Sequence, residues 1–207
     1  MDPGPDDPVL PFATSDAFDR WLAKHHRTAT VVWIKYAKKG SGEPSITATE
    51  AVDVALCHGW IDGQSKSLDE RYYLGRFTPR RPTSLWSKIN RDRVARLLAA
   101  GRMRPAGLAE VDRAKADGRW DAAYDSPSTA VPPDDLVRAL ARHPRARAAF
   151  AALDAASRYS ILHRLMLAKR PETRTRQIET VVTKLGAEEP PQAPRRKPAA
   201  AASKARR

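Results

Sequence analysis

The sequence predicts an α+β chain that is mostly helical, with a small three-stranded sheet in the order α-β-α-β-β followed by a helical C-terminal part. Three observations predict it. Residues 29–38 (ATVVWIKYAK) form an apolar run too continuous for a strand exposed on one face, which argues for a central strand. Residues 60–64 (WIDGQ) and 72–78 (YYLGRFT) are strand-like segments joined by the polar turn 66–70. From Trp86 onward, apolar residues recur at helical spacing between start and stop signals.

Taken in order, residues 1–11 read as a flexible, proline-rich lead-in. Thr14 or Ser15 can cap a helix that carries Phe18, Trp21 and Leu22 and ends near His25 and His26. After the central strand and the loop 39–44, Thr47 and Glu50 have the spacing of a capping box. The helix they open carries Ala51, Val52, Ala55 and Leu56, and Gly59 suits the left-handed position after its end. The next two strands stop at Pro79-Arg80-Arg81-Pro82, because proline cannot donate to a ladder. Ser84 can cap the turn bearing Trp86, Ser87, Ile89 and Asn90. Helices are expected around Val94, Leu97 and Leu98, over 105–117, and around Leu136, Val137 and Leu140, the last broken at His143-Pro144. Residues 145–153 continue it, Ser157 caps a helix with Ile161, Leu162, Leu165 and Met166, and Pro171 starts one that runs to about Leu185. The expected organisation is a single domain over 12–186, with an α/β part (12–90) and a helical part (91–186), and a disordered basic tail at 187–207.

A chain of 207 residues, 42% of them hydrophobic, can bury one sizeable core. One cysteine, Cys57, excludes an internal disulfide framework and suits a reducing compartment. The N-terminus is acidic where a secretory leader is basic and apolar, and no run reaches the roughly 18 apolar residues of a membrane span. The expected location is the cytoplasm. With a net charge of +13 and a pI near 10.3, the field favours anionic partners. The tail carries six cations and two anions, so weak nonspecific adhesion to nucleic acid or an anionic surface is expected of it. The five histidines show no metal-binding spacing, and neither a phosphate loop nor a nucleophile elbow is present, so no metal, cofactor or catalytic residue is assigned.

The stretch 59–90 (GWIDGQSKSLDERYYLGRFTPRRPTSLWSKIN) matches no simple core pattern, and such a local inconsistency points to a site. Asp62 and Gln64 share a strand face with Trp60. Arg76 and Arg80 offer planar guanidiniums that suit carboxylates or phosphates, while Arg81 reads as surface. Trp86 is a core residue or a ligand platform, and Asn90 is a helix cap or a ligand-facing amide, the cap being favoured on position. The candidate binding set is therefore Trp60, Asp62, Gln64, Arg76, Arg80, Trp86 and Asn90.

GWIDGQ, RFTPRR and S-x-WSK-x-N, with GRMRPAG (101–107) and AKADGRW (114–120), resemble the bacterial YdeI/OmpD-associated, or bacteriocin-protection, family over about 12–185. The resemblance implies a role in protection against cationic antimicrobial peptides, without established catalytic residues. Joined to the polar stretch, it implies a stress-protection protein with a pocket for a small polar or anionic ligand. Two other readings stand beside it. One is nonspecific nucleic-acid binding through the tail and Arg91, Arg93, Arg96, Arg102 and Arg104. The other is an enzyme with Asp62 as base and Arg80 as its electrophilic partner.

Overall fold

A computed structural model describes residues 2–187. They form four strands and eight helices: β1 (Val9–Pro11), α1 (Ser15–His25), β2 (Val32–Ala37), α2 (Ala48–Cys57), β3 (Trp60–Ser67), β4 (Tyr72–Pro79), α3 (Lys88–Ala99), α4 (Pro105–Ala116), α5 (Asp134–Ala141), α6 (Pro144–Ala152), α7 (Ala155–Met166) and α8 (Pro171–Ala187). The fold is α+β, as the sequence predicts, but the sheet has four strands rather than three. The added strand comes from the segment expected to be a flexible lead-in. Val9, Leu10 and Pro11 run parallel to Trp33, Ile34 and Lys35. Trp33 anchors this segment twice, its backbone N–H donating to Pro8 O at 2.8 Å and its indole Nε1 to Asp7 Oδ2 at 3.1 Å. Pro11 is tolerated because β1 is an edge strand with no outer ladder to feed.

The strand order is β1-β2-β4-β3, so β2 is central and β3 is the other edge. Strand alternation divides the side chains between two faces. Val32, Ile34, Tyr36, Trp60 and Phe77 face α1 and α2, joining Phe18, Leu22, Ala51, Val54 and Ala55 in the main core. Trp33 and Leu74 lie on the opposite face with Val31. Helix α1 is capped by Thr14, and α2 by the expected Thr47–Glu50 capping box. Against α2, helices α3 and α4 bury Leu56, Cys57, Trp86, Val94, Leu97, Val111 and Ala114. Gly107 allows this approach, since a Cβ there would lie 2.3 Å from Cys57 O.

Three local expectations are corrected. Ser87, not Ser84 or Asn90, caps α3, its hydroxyl accepting from Asn90 N at 3.3 Å. Ser84 is occupied instead by Arg81 N, which donates to its hydroxyl at 2.9 Å. Asp154, not Ser157, caps α7, because its carboxylate lies one turn upstream and accepts from Ser157 N at 2.8 Å.

The packing divides into two compact units, one ending at Ser126 and the other beginning at Pro127, where the sequence placed an internal division at 90/91. Helices α3 and α4 thus belong with the sheet. In the second unit, α5 to α8 close over Leu136, Leu140, Phe150, Leu162, Leu165, Ile178, Val181 and Leu185. A bidentate pair ties α8 to α5: Arg174 Nε and Nη2 donate to Asp135 at 2.5 and 3.0 Å, and Nη1 donates to Leu165 O at 2.7 Å. Of the expected tail, Ala187 closes α8 and residues 188–207 lie outside the described residues. Among the described residues, no helix is long and apolar enough to cross a membrane.

Candidate functional site

Edge strand β3 is where the polar stretch opens to the surface. Asp62 pairs with Phe77 and Ser65 with Gly75, so β3 spends one more residue than β4 and forms a bulge at Gly63 and Gln64. The bulge leaves Gly63 and Gln64 out of the ladder and turns the strand toward α2 and the 85–90 segment.

Two cavities adjoin there, sharing Asp62 and Val52. The larger, about 290 Å³, is lined by Val52, Ile61, Asp62, Leu85, Ser87, Ile89, Asn90, Arg93 and Tyr124. The smaller, about 170 Å³, lies over the bulge, with Tyr36, Gln64, Tyr73 and Gly75 in its wall. Together they make one groove with Asp62 at its midpoint.

The wall of the larger cavity is held from several directions. Ser87 and Tyr124 meet in an isolated parallel bridge, and Tyr124 N donates to Trp86 O at 3.0 Å. Tyr124 also bonds through its side chain to Ser87, while burial, with the charge of Asp62 adding to it, pushes the phenol's pKa up. Arg93 lines the cavity but donates to Asp53 Oδ1 at 2.8 Å, and Arg96 donates to Asp53 Oδ2 at 2.7 Å. In the smaller cavity, Gly75 is required by Tyr36, because a Cβ there would lie 2.7 Å from the ring edge. Tyr36 stacks on Tyr73 with centroids 4.8 Å apart. Its hydroxyl is buried without a hydrogen-bond partner, and burial raises its pKa, with Tyr73 and Asp62 adding to the shift.

The seven candidate residues divide. Asp62, Gln64 and Asn90 line the groove. Arg76 reaches the smaller cavity, but it pairs with Trp33 across the ladder, so alternation sends its side chain to the opposite sheet face. Its charge accordingly acts on Asp7, the hydrogen-bond partner of Trp33. Trp60 is buried in the main core, where its indole donates to His26 O at 3.3 Å. Trp86 is buried beneath the wall. Arg80 is 5% exposed and lies over the Trp86 ring at 3.6 Å, with Nη1 donating to Leu85 O at 3.2 Å. Burial pulls the pKa of Arg80 down to about 10 against the attraction of Glu110. Arg80 therefore positions the Leu85–Trp86 wall from behind rather than lining the groove, and the charge of Asp62 acts on it there without a hydrogen bond between them.

Sequence reasoning missed Tyr36, Ser87, Arg93 and Tyr124 as groove residues. Tyr36, Arg93 and Tyr124 lie outside the 59–90 stretch, and the ladder, helix α3 and the bridge bring them in. The basic residues considered for nucleic acid are largely engaged: Arg91 with Trp120 O, Arg93 and Arg96 with Asp53, and Arg104 with Asp19.

A separate concavity of the first unit, about 430 Å³, is lined by His26, Arg27, His58 and Arg104 among others. His58 Nε2 lies 2.9 Å from Asp19 Oδ1. Burial pushes the imidazole's pKa down against the pull of that carboxylate. No cluster of His, Cys, Asp and Glu fit for a metal occurs among the described residues.

A family model described as Bacteriocin-protection, YdeI or OmpD-Associated matches residues 129–188. That stretch is similar to the YdeI/OmpD-associated family, and the match spans less than half of the chain. It covers the second unit from just before α5 through α8. A different model, described as Domain of unknown function (DUF8412), matches residues 10–110. The motifs GWIDGQ, RFTPRR and WSKIN therefore fall in the second match and outside the YdeI/OmpD-associated match, whereas the sequence resemblance spans about 12–185. The groove belongs to the unit that precedes the YdeI/OmpD-associated match. No curated protein and no solved structure matches the chain.

Proposed function

We propose that this protein protects cells against bacteriocins or cationic antimicrobial peptides, and that its first unit contributes by holding a small polar ligand in the Asp62 groove. The observation that carries the protective role is the match of residues 129–188 to a family described by bacteriocin protection. The groove supports the ligand half. Asp62, Gln64 and Asn90 come from two separate elements and converge on one concave surface, where polar side chains alternate with the apolar Val52, Ile61, Leu85 and Ile89.

The reading includes action in the cytoplasm, which the one buried thiol, Cys57, supports. Cell fractionation tests that point, and recovery in the envelope fraction would overturn it. For the protective role, a deletion strain and its complemented parent are challenged with a cationic peptide. Greater sensitivity in the deletion strain is expected, and equal sensitivity would refute the role. For the ligand half, native mass spectrometry of the freshly purified protein is expected to show a bound small molecule that is lost in an Asp62→Lys variant. A bound species retained by that variant would place the ligand elsewhere.

A further inference from the structure

Of the two charged residues that line the larger cavity, Arg93 is paired and Asp62 is not. Asp62 is exposed, and among the described residues nothing donates a hydrogen bond to its carboxylate or forms an ion pair with it. This is notable in a chain with 37 Lys and Arg against 24 Asp and Glu. The cations nearby do not pair with it. Arg93 shares Asp53 with Arg96, Arg80 lies beneath the wall against Trp86, where the charge of Asp62 acts on it without a hydrogen bond, and the side chain of Arg76 belongs to the other sheet face. Among the described residues, the Asp62 carboxylate therefore faces the groove with neither a hydrogen bond nor an ion pair of its own.

Its neighbours supply what a cation needs. The Tyr36 hydroxyl, on a residue only 2% exposed, has no internal partner and stands in the wall of the cavity that shares Asp62. Its oxygen is a ready acceptor, as is the amide oxygen of Asn90. The stacked rings of Tyr36 and Tyr73 add π-faces that attract a positive charge. The rim has a different character. Leu85 and Ile89 are 39% and 47% exposed and border the larger cavity with Val52 and Ile61. A carboxylate with neutral acceptors at the base and apolar side chains at the lip fit a positive head on an apolar stem.

We propose that the groove takes a small amphipathic cation, an alkylammonium or alkylguanidinium, with Asp62 as its counter-ion, the Tyr36 hydroxyl and Asn90 amide as further acceptors, and Leu85 and Ile89 against its stem. This rests on the ligand reading above and gives it a charge opposite to the one that Arg76 and Arg80 suggested in the sequence. The protein's overall positive field opposes such a ligand at long range. Binding must therefore come from local contacts.

Amide resonances of the full-length, isotope-labelled protein are followed on titration with hexylammonium, ethylammonium, hexanoate and hexanol. Hexylammonium is expected to shift Asp62, Gly63 and Asn90 and to bind more tightly than ethylammonium by roughly threefold per added methylene. Asp62→Asn, at an exposed position, is expected to keep the fold's spectrum and weaken hexylammonium roughly tenfold. Tyr36→Phe should weaken it severalfold without lowering the unfolding midpoint, because the hydroxyl it removes has no partner to lose. Hexanoate binding at these residues as tightly as hexylammonium, or full affinity in Asp62→Asn, would overturn the cationic assignment while leaving a ligand groove standing. Absence of any shift with all four probes would overturn both.

Discussion

Replacing Gly107 with alanine sets two helix backbones against each other. The new Cβ would lie 2.3 Å from Cys57 O, 2.6 Å from Leu56 O and 2.8 Å from Cys57 C, all main-chain atoms at the end of α2. No rotamer change relieves such a contact, so α4 has to withdraw by about an ångström to reach ordinary van der Waals separation. That shift loosens Val111 and Ala114 from Leu56, Cys57, Val94 and Leu97. Overpacking of this kind costs about 1–3 kcal/mol, and a rigid obstacle on both sides argues for the upper end. Alanine's better helix propensity returns about 1 kcal/mol, leaving a net loss of about 2 kcal/mol. With a urea slope of about 2 kcal/mol per molar, the midpoint should fall by about 1 M. The assay is unusually clean, since all five tryptophans, Trp21, Trp33, Trp60, Trp86 and Trp120, lie before Ser126 and tryptophan fluorescence reports the first unit alone. Gly186→Ala, where a Cβ meets nothing within 4 Å, is the control and should leave that transition in place. A Gly107→Ala midpoint equal to or above that of the parent would refute the close-approach argument.

Other perturbations read the two units separately. Arg80→Met should change stability by less than about 1 kcal/mol, because it keeps an apolar stem against Trp86 and removes a poorly matched buried charge. Arg80→Ala should cost about 3 kcal/mol through the cavity it leaves, and equal urea midpoints for the two variants would contradict the positioning role. Gly75→Ala drives a methyl into the Tyr36 ring and should cost about 2 kcal/mol while perturbing hexylammonium binding, and an unchanged affinity would argue against Tyr36 as part of the groove. In the second unit, Arg174→Lys keeps the charge but loses the fork on Asp135 and the bond to Leu165 O, for a loss of about 2 kcal/mol in the slowest amide exchange of α5 and α8. Hydrogen bonds from Arg174 hold the Asp135 carboxyl below its ordinary 3.8. The stability it contributes is complete above that value and is lost as pH falls through the lowered folded one, so protection of α5 and α8 should decline below about pH 4 and decline less in Arg174→Met. An identical acid profile in the variant would remove the linkage.

Element by element, the local code was readable where one residue settles the chemistry. The Thr47–Glu50 capping box, the helix break at His143-Pro144, the helix start at Pro171 and the apolar run of the central strand needed no tertiary information. The strand at Val9–Pro11 was hidden because two residues between Pro8 and Pro11 show no alternation to read, and its partner is more than twenty residues away. Asp154 took the cap assigned to Ser157 because both lie within one turn, and the upstream carboxylate reaches the free N–H first.

The candidate site was legible as a stretch and not as a surface. Asp62, Gln64 and Asn90 reached the groove. Trp60, Arg80 and Trp86 went into packing, and the bulge and the ladder sent the Arg76 side chain to the other face. Composition, charge, element types and the polar 59–90 segment are properties of neighbouring residues and were set by the sequence alone. Which cations stay free to meet a ligand depends on pairings across long separations, such as Arg93 and Arg96 with Asp53. Only the tertiary structure decided those, because the sign of a groove is what remains after every nearby charge has found, or failed to find, its partner.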